Sequence, residues 1–130
     1  IFDLQVAPNT LRDVDPTYTP GLQFTAVGRY TWPNVLMGGS ITLQIDGTYA
    51  DDAFANINNF DAHNMPSTWV GNSNVRWTSA DGHWEVGGFV HNFSDARVVN
   101  SIFDLAAVDG ADETSFEKPR WWGANIRYNF

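Results

Sequence analysis

Five segments of the chain alternate between apolar and polar residues with a period of two. They cover residues 22–32, 40–50, 68–78, 84–93 and 120–130. Because successive side chains of a strand point to opposite faces, each segment predicts a strand with one apolar and one polar face. No stretch shows the sustained i, i+3, i+4, i+7 apolar repeat of an amphipathic helix. The pattern therefore predicts an all-β protein with antiparallel strands.

The connections between these segments alternate between short and long. Residues 33–39 and 79–83 predict short turns, the second through its Asp81-Gly82 pair. Residues 51–66 and 95–119 predict long polar loops. Residues 1–20 are a polar, proline-containing lead-in, interpreted as a loop or, over residues 1–7, as the end of an earlier strand.

Composition narrows the class of protein. The chain has 130 residues, of which 43% are hydrophobic, 15% aromatic and 17% charged, with a formal net charge of −8. An acidic chain of this kind is unsuited to binding a nucleic-acid backbone, which needs clustered Lys and Arg.

The absence of cysteine excludes disulfides and thiolate metal sites. No apolar run is long enough for a transmembrane helix. The first residues lack a Met and the features of a signal peptide, so the chain is expected to be a piece of a longer protein.

One apolar and one polar face per strand fits two architectures. In a soluble β-sandwich the apolar faces of two sheets meet in a core. In an antiparallel transmembrane β-barrel the apolar face meets lipid and the polar face lines the interior. The segment length of about ten residues, which is what a tilted membrane strand needs, favours the barrel. The alternation of short turns with long loops also favours it.

Aromatic residues lie near the segment ends on the predicted apolar face, as in the interfacial girdles of membrane barrels. The girdle beside the short turns would contain Trp32, Trp77, Trp84, Tyr128 and Phe130. The girdle beside the long loops would contain Tyr49, Trp69 and Trp122. Five strands are too few to close such a pore, because the smallest bacterial barrels have about eight. The barrel interpretation therefore requires further strands outside this chain.

Two sequence elements resemble TonB-dependent outer-membrane receptors. The end of the chain, Pro119-Arg120-Trp121-Trp122-Gly123 through Tyr128-Asn129-Phe130, resembles the last barrel strand of that family. His91-Asn92-Phe93-Ser94-Asp95-Ala96-Arg97 resembles its Asn-Leu-Thr-Asp-x-Arg/Lys segment in the penultimate strand, with Phe and Ser where Leu and Thr are usual. The hairpin over residues 77–84 and the stretch from Tyr49 to Pro66 resemble the family more loosely, so that about residues 20–130 are covered.

The resemblance implies that residues 1–130 are the C-terminal part of a barrel of about 22 strands in the outer membrane of a Gram-negative bacterium. It implies energy-coupled uptake of a scarce ligand such as a siderophore, cobalamin or an oligosaccharide. The plug domain and the segment that contacts TonB are absent from this chain, so autonomous transport is in doubt. The expected partners are outer-membrane lipid, the rest of the receptor, TonB and the outer-membrane insertion machinery. Tyr128 and Phe130 are expected to be the assembly signal that this machinery reads.

Candidate functional residues fall into two further sets. The loop after the second segment mixes aromatic rings with amides, which suits sugars or planar chelates: Phe54, Asn56, Asn58, Asn59, Phe60 and Asn64. Charged residues on the polar faces are predicted to face the barrel interior, paired with acids there or on the plug: Arg29, Asp46, Arg76, Glu85 and Arg127.

No metal site, cofactor or enzymatic activity is predicted. The three histidines, His63, His83 and His91, are scattered and have no metal-ligand spacing. The acidic runs 51–52 and 109–113 do not fit an EF-hand and are interpreted as solvated loops. Asp46 and Glu85 lack an accompanying nucleophile, which makes a β-rich hydrolase the weakest of the hypotheses. The alternative to the receptor is a soluble, acidic, carbohydrate-binding β-sandwich.

Overall fold

A computed structural model describes residues 2–7, 10–105 and 110–130, which form strands, two short 3-10 segments and the turns and loops between them. Ile1 and Asp109, which belong to the predicted lead-in and to an acidic run, lie outside the described residues. The strands are β1 (Phe2–Ala7), β2 (Thr10–Val14), β3 (Gln23–Trp32), β4 (Ser40–Ala50), β5 (Ala53–Phe54), β6 (Asn64–Met65), β7 (Thr68–Thr78), β8 (Trp84–His91), β9 (Val99–Asp104), β10 (Asp112–Phe116) and β11 (Trp121–Tyr128). Among the described residues, no helix has the length and apolar character needed to cross a membrane.

The protein is all-β, with antiparallel sheets, as the alternation predicts. The chain divides into two compact units. We call Phe24–Thr48, Trp69–Ala96 and Lys118–Phe130 the sheet unit. We call Ile1–Gln23, Tyr49–Thr68 and Arg97–Glu117 the connection unit.

The five predicted segments form one five-stranded sheet in the order β3-β4-β7-β8-β11. Each strand lies beside the next predicted segment, so the sheet is a simple meander. It is open, since β3 and β11 are both edge strands. The predicted bounds are confirmed to within one or two residues.

Hydrogen bonds across the sheet place the polar faces of neighbouring strands on the same side. The Thr25 and Thr48 hydroxyls lie 3.0 Å apart between β3 and β4. Between β4 and β7, the Asn72 amide donates to the Asp46 carboxylate at 2.7 Å. In β8 and β11, Glu85 lies directly opposite Arg127. The opposite side of the sheet therefore collects the apolar positions of all five strands.

A hydrogen-bonded turn joins β7 to β8 at the predicted Asp81-Gly82 pair. The Gly82 N–H donates to the Ser79 carbonyl at 3.0 Å, and Gly82 has a φ of 75°, which glycine adopts without steric strain. The Asp81 carboxylate accepts hydrogen bonds from the Ser79 hydroxyl and the His83 N–H. These bonds hold the pKa of Asp81 below its usual value. The Asn129 N–H donates to the His83 carbonyl, which ties the end of the chain to this turn.

Strand β8 ends at His91, two residues before the predicted position, because Asn92 starts a turn. Asn92 has a φ of 51° and is 6% exposed. Its amide donates to the Ala96 carbonyl, and its side-chain oxygen accepts from the Ala96 N–H, both at 2.9 Å. Asparagine tolerates this left-handed conformation better than most residues, which explains its place here.

The connection unit contains strands where the sequence predicted loops. The lead-in forms the hairpin β1–β2, with Leu4 opposite Arg12, and the 95–119 loop contains the hairpin β9–β10, with Asp104 opposite Asp112. The 51–66 loop is closed by β5 and β6, where Ala53 pairs with Met65. The strand proposed within residues 1–7 is present as β1, whereas the prediction of loops over residues 51–66 and 95–119 missed the short strands there. The missed strands are only two to six residues long. They are therefore too short to show a clear alternating pattern.

Buried apolar side chains are rare. Among residues whose burial is described, Val14 at 3% and Ala53 at 9% exposure are the buried hydrophobic ones, and both belong to the connection unit. Large apolar residues of the sheet are exposed instead, among them Tyr30 at 60% and Ile126 at 71%. The sheet unit therefore has no apolar core of its own among the described residues.

Candidate functional site

The connection unit contains a buried histidine. His63 ends the 3-10 segment Asp61–His63, and its side chain is 4% exposed. Two backbone hydrogen bonds fix its position. Its N–H donates to the Phe60 carbonyl at 2.8 Å, and its carbonyl accepts from the Ala55 N–H at 2.9 Å.

Two carboxylates of the β9–β10 hairpin lie beside the imidazole. Asp104 ends β9, Asp112 begins β10, and the two are cross-strand partners. The His63 Nε2 atom is 3.3 Å from Asp112 Oδ2 and 4.0 Å from Asp104 Oδ2. One ligand atom from each of the three residues lies within 4.8 Å of the others. We call His63, Asp104 and Asp112 the His63 cluster.

The imidazole of His63 has no hydrogen-bond partner among the described residues, at either Nδ1 or Nε2. The short distance to Asp112 is thus an electrostatic contact without hydrogen-bond geometry. A buried polar group left unpaired costs about 1–3 kcal/mol. Like charges directly opposite each other on an antiparallel pair, as at Asp104 and Asp112, are also destabilising. One imidazole and two carboxylates are a donor set that a divalent metal ion would satisfy.

The sequence alone does not predict this cluster. The spacing between histidines gives no signal for it, because the cluster has one histidine and two aspartates from a different connection. Asp112, predicted to lie in a solvated loop, is the first residue of β10. The one sequence signal was the acidic character of residues 109–113, which contains no indication that His63 lies nearby.

Amides predicted to contact a ligand are partly engaged within the connection unit. The Asn56 amide donates to Asp104 Oδ2 at 3.1 Å, and its oxygen accepts from the Asn58 N–H. The Asn59 side chain accepts from the Asp15 N–H at 2.6 Å and donates to the Asp15 carbonyl at 3.1 Å. Asn56 and Asn59 therefore order the loop, and contact with a ligand stays a prediction for them.

The other predicted ligand-contacting residues are half-buried or exposed. Phe60 is 50% exposed, and its ring centroid is 6.0 Å from that of His63. Asn64 is exposed in β6, while Asn58 and Phe54 are half-buried. A recess of about 210 Å³ in the connection unit is lined in part by Tyr18, Met65 and Val98, and by neither Phe60 nor Asn64.

The charged residues predicted to face a barrel interior lie on the polar face of the sheet. The Arg127 guanidinium is 4.0 Å from the Glu85 carboxylate, and Asp46 accepts from Asn72 as described above. Arg29 and Arg76 are exposed. Since β7 lies between β4 and β8, Asp46 and Glu85 are not on neighbouring strands, and the structure does not join them as an acid–base pair.

Aromatic rings cluster near both ends of β8 and β11. Tyr128 contacts Trp84 at a ring-centroid distance of 4.8 Å and Phe130 at 5.0 Å. At the opposite ends of these strands, Trp121 stacks on His91 at 4.6 Å. Tyr128 and Phe130, the predicted assembly signal, thus lie in one aromatic cluster in which Phe130 is fully exposed.

The two sequence elements that carry the family resemblance contact each other. The Arg120 guanidinium donates to the Asp95 carboxylate at 3.3 Å. Its other terminal nitrogen donates to the Phe93 carbonyl at 3.5 Å. Arg97, the last residue of the second element, has its guanidinium over the Phe116 ring at 4.7 Å instead.

No family model, curated protein or solved structure matches this chain.

Proposed function

We propose that this chain forms part of the wall and the external loops of an outer-membrane β-barrel, in a receptor of the TonB-dependent class. The observation that carries the proposal is the exposed apolar face of the five-stranded sheet. On this face Trp122 is 79% exposed, Ile126 71%, Tyr30 60% and Phe24 51%. A water-soluble monomer rarely leaves a continuous apolar patch of more than a few hundred Å² uncovered, so a covering medium is needed.

Hydrocarbon suits this face because of how its residues are distributed. Apolar aliphatic residues such as Leu43 and Ile45 occupy the middle of β4, and tryptophan and tyrosine lie toward the strand ends. Amphipathic rings are most stable at the two membrane interfaces. Strands of eight to eleven residues also approach the nine to eleven that a tilted membrane strand needs.

The opposite face suits a hydrated interior. It carries the Asp46–Asn72 hydrogen bond and the Glu85–Arg127 pair. An arginine in the middle of the lipid layer costs about 2–4 kcal/mol, so a barrel strand keeps such residues inside. The two free edges, β3 and β11, would pair with further strands, because unpaired backbone groups in lipid cost several kcal/mol each.

The assignment to TonB-dependent receptors rests on the two sequence elements that resemble this family, residues 91–97 and 119–130. The Arg120–Asp95 ion pair and the Arg120 bond to the Phe93 carbonyl give both elements a common structural role at the start of the last strand. In this proposal the connection unit contributes to the external loops that meet the ligand, a siderophore, cobalamin or an oligosaccharide. The plug and the TonB contact belong to the rest of the receptor.

A soluble carbohydrate-binding β-sandwich is the alternative function. A sandwich needs a second large sheet against the apolar face. The other sheets of the described residues have two strands each. The Trp121–His91 stack is the feature that a sugar platform would use.

The test compares two adjacent tryptophans on opposite faces of β11. The purified chain is mixed with phospholipid vesicles whose acyl chains carry bromine, which quenches tryptophan fluorescence at contact. Because the chain has six tryptophans, each variant retains one of them and carries phenylalanine at the other five positions. We expect strong quenching in the variant that retains Trp122 and little in the variant that retains Trp121. Equal quenching of the two variants would contradict the lipid-facing assignment. A monomeric chain that stays unquenched and dissolved without detergent would favour the sandwich.

A further inference from the structure

The geometry of the His63 cluster points to a ligand. Its imidazole is buried with both nitrogens unpaired among the described residues. Its two carboxylates belong to residues that are directly opposite each other in the β9–β10 pair. The nearest carboxylate oxygen lies 3.3 Å from Nε2 outside hydrogen-bond geometry.

We propose that the His63 cluster is a binding site for a divalent transition-metal ion of the Zn²⁺ class. A neutral imidazole and two carboxylates carry a charge of −2, which such an ion neutralises. Zn²⁺ accepts mixed nitrogen and oxygen ligands in tetrahedral geometry, so three protein ligands leave one position for water. Ca²⁺ and Mg²⁺ prefer oxygen ligands alone, and the histidine selects against them.

The atoms are placed for ligation after only small movements. The three ligand atoms lie within 4.8 Å of one another, so one ion can reach all of them. Asp104 and Asp112 are 33% and 29% exposed, which leaves a path for the ion and for water, whereas His63 is 4% exposed. The Asn56 amide, by donating to Asp104 Oδ2, orients that carboxylate from outside the site.

The bound ion would join two connections that are distant in the sequence. His63 belongs to the connection between β4 and β7, and both aspartates belong to the connection between β8 and β11. Within the connection unit, the ion would act as a cross-link between these segments. The proposal is independent of the membrane, because none of the three residues lies in the five-stranded sheet.

The experiment titrates Zn²⁺ into the full 130-residue chain, purified in detergent without a histidine tag, by isothermal calorimetry. We expect one ion per chain. His63→Ala and Asp112→Asn, each removing a ligand, should weaken binding by at least about 100-fold, and Asn56→Ala by about 10–100-fold. Two matched controls should leave the affinity unchanged. Asp61→Asn changes an exposed carboxylate of the same connection as His63, and His91→Gln changes a histidine of the sheet unit.

Circular dichroism verifies that each variant is folded. If His63→Ala is unfolded, the more exposed Asp112→Asn substitution still tests the site. X-ray absorption of the zinc-loaded chain should show one histidine nitrogen and carboxylate oxygens at about 2.0–2.2 Å. Affinity should fall on acidification, since protons compete for the ligands.

Three results would overturn the proposal. A folded chain without saturable Zn²⁺ uptake would mean that His63 and the aspartates form an ion pair only. Equal affinity in the wild-type chain and the His63→Ala and Asp112→Asn variants would mean adventitious binding elsewhere. Tighter binding of Ca²⁺ than of Zn²⁺ would exclude the transition-metal class.

Discussion

In the sheet unit many of the large apolar side chains are exposed and the others are half-buried, whereas the buried hydrophobic residues of the described chain, Val14 and Ala53, belong to the connection unit. The sheet unit is held together mainly by backbone ladders and cross-strand contacts. The connection unit is held together by particular side chains, such as Asn59 bound to the backbone of Asp15. A regular pattern thus organises one unit, and individual polar contacts organise the other.

The largest expected effect tests which medium covers the sheet. Leu43→Arg places a charge on the apolar face near the middle of β4, and in a lipid-inserted state it should cost about 2–4 kcal/mol of unfolding free energy. Gln44→Arg, one residue along and on the polar face, should cost well under half of that. Urea unfolding in phospholipid vesicles measures both variants. If the two positions tolerate arginine equally, the two faces do not differ as proposed.

A smaller effect tests packing at the end of the sheet beside the short turns. At Gly39, an added methyl group would overlap the Thr78 carbonyl oxygen and crowd the Trp77 indole. Gly39→Ala should therefore destabilise the sheet unit by about 1–3 kcal/mol, the range for overpacking. Gly88→Ala is the control, since its nearest contact would be an ordinary 3.8 Å. Denaturant midpoints in detergent measure the difference, and matching midpoints would contradict it.

Asn92 tests whether one side chain ends β8. Asn92→Ala removes the two hydrogen bonds to Ala96 and leaves a non-glycine residue with a positive φ, so we expect a loss of about 1–2 kcal/mol. The exposed Asn100→Ala in the connection unit should change stability by less than about 0.5 kcal/mol. Hydrogen exchange at the Ala96 amide gives a local readout. Unchanged protection there would show that the side chain does not hold the turn.

The smallest effect concerns the β7–β8 turn at low pH. Because hydrogen bonds hold the pKa of Asp81 below its usual value, the folded state favours the ionised carboxylate. This contribution to stability is present above the unfolded-state pKa of about 3.9 and is lost as the pH falls through the lower, folded-state value. Asp81→Asn should therefore reduce stability at pH 7 by more than it does at pH 2. Melting temperatures across this range measure the effect, and a difference that grew on acidification would contradict its sign.

The strands of the sheet were predictable because the alternation of apolar and polar residues indicates directly which side chains share a face. The predicted range 40–50 coincides with β4, and 68–78 coincides with β7. The end of β8 was misplaced by two residues. Periodicity continues through Phe93, but the side chain of Asn92 satisfies the backbone of a turn.

The His63 cluster was beyond prediction for a different reason. Its imidazole and its carboxylates come from two separate connections. Neither the lengths nor the residue patterns of these connections predict that they contact each other. The strand β10 begins with Asp112, Glu113 and Thr114 in succession, without the alternating apolar positions that mark a strand. Only the pairing of β10 with β9 brings Asp112 opposite Asp104 and both beside His63.

The amino-acid sequence by itself determined the all-β class, the five long strands and the two chemically different faces of their sheet. These features follow from local periodicity, which involves only residues close together in the chain and can be recognised in the sequence. Tertiary structure alone decided the short hairpins within the connections, the roles of Asn56 and Asn59, and the three-residue cluster around His63. Each of these depends on hydrogen bonds or charges between residues far apart in the chain, whose meeting is determined by the folded backbone.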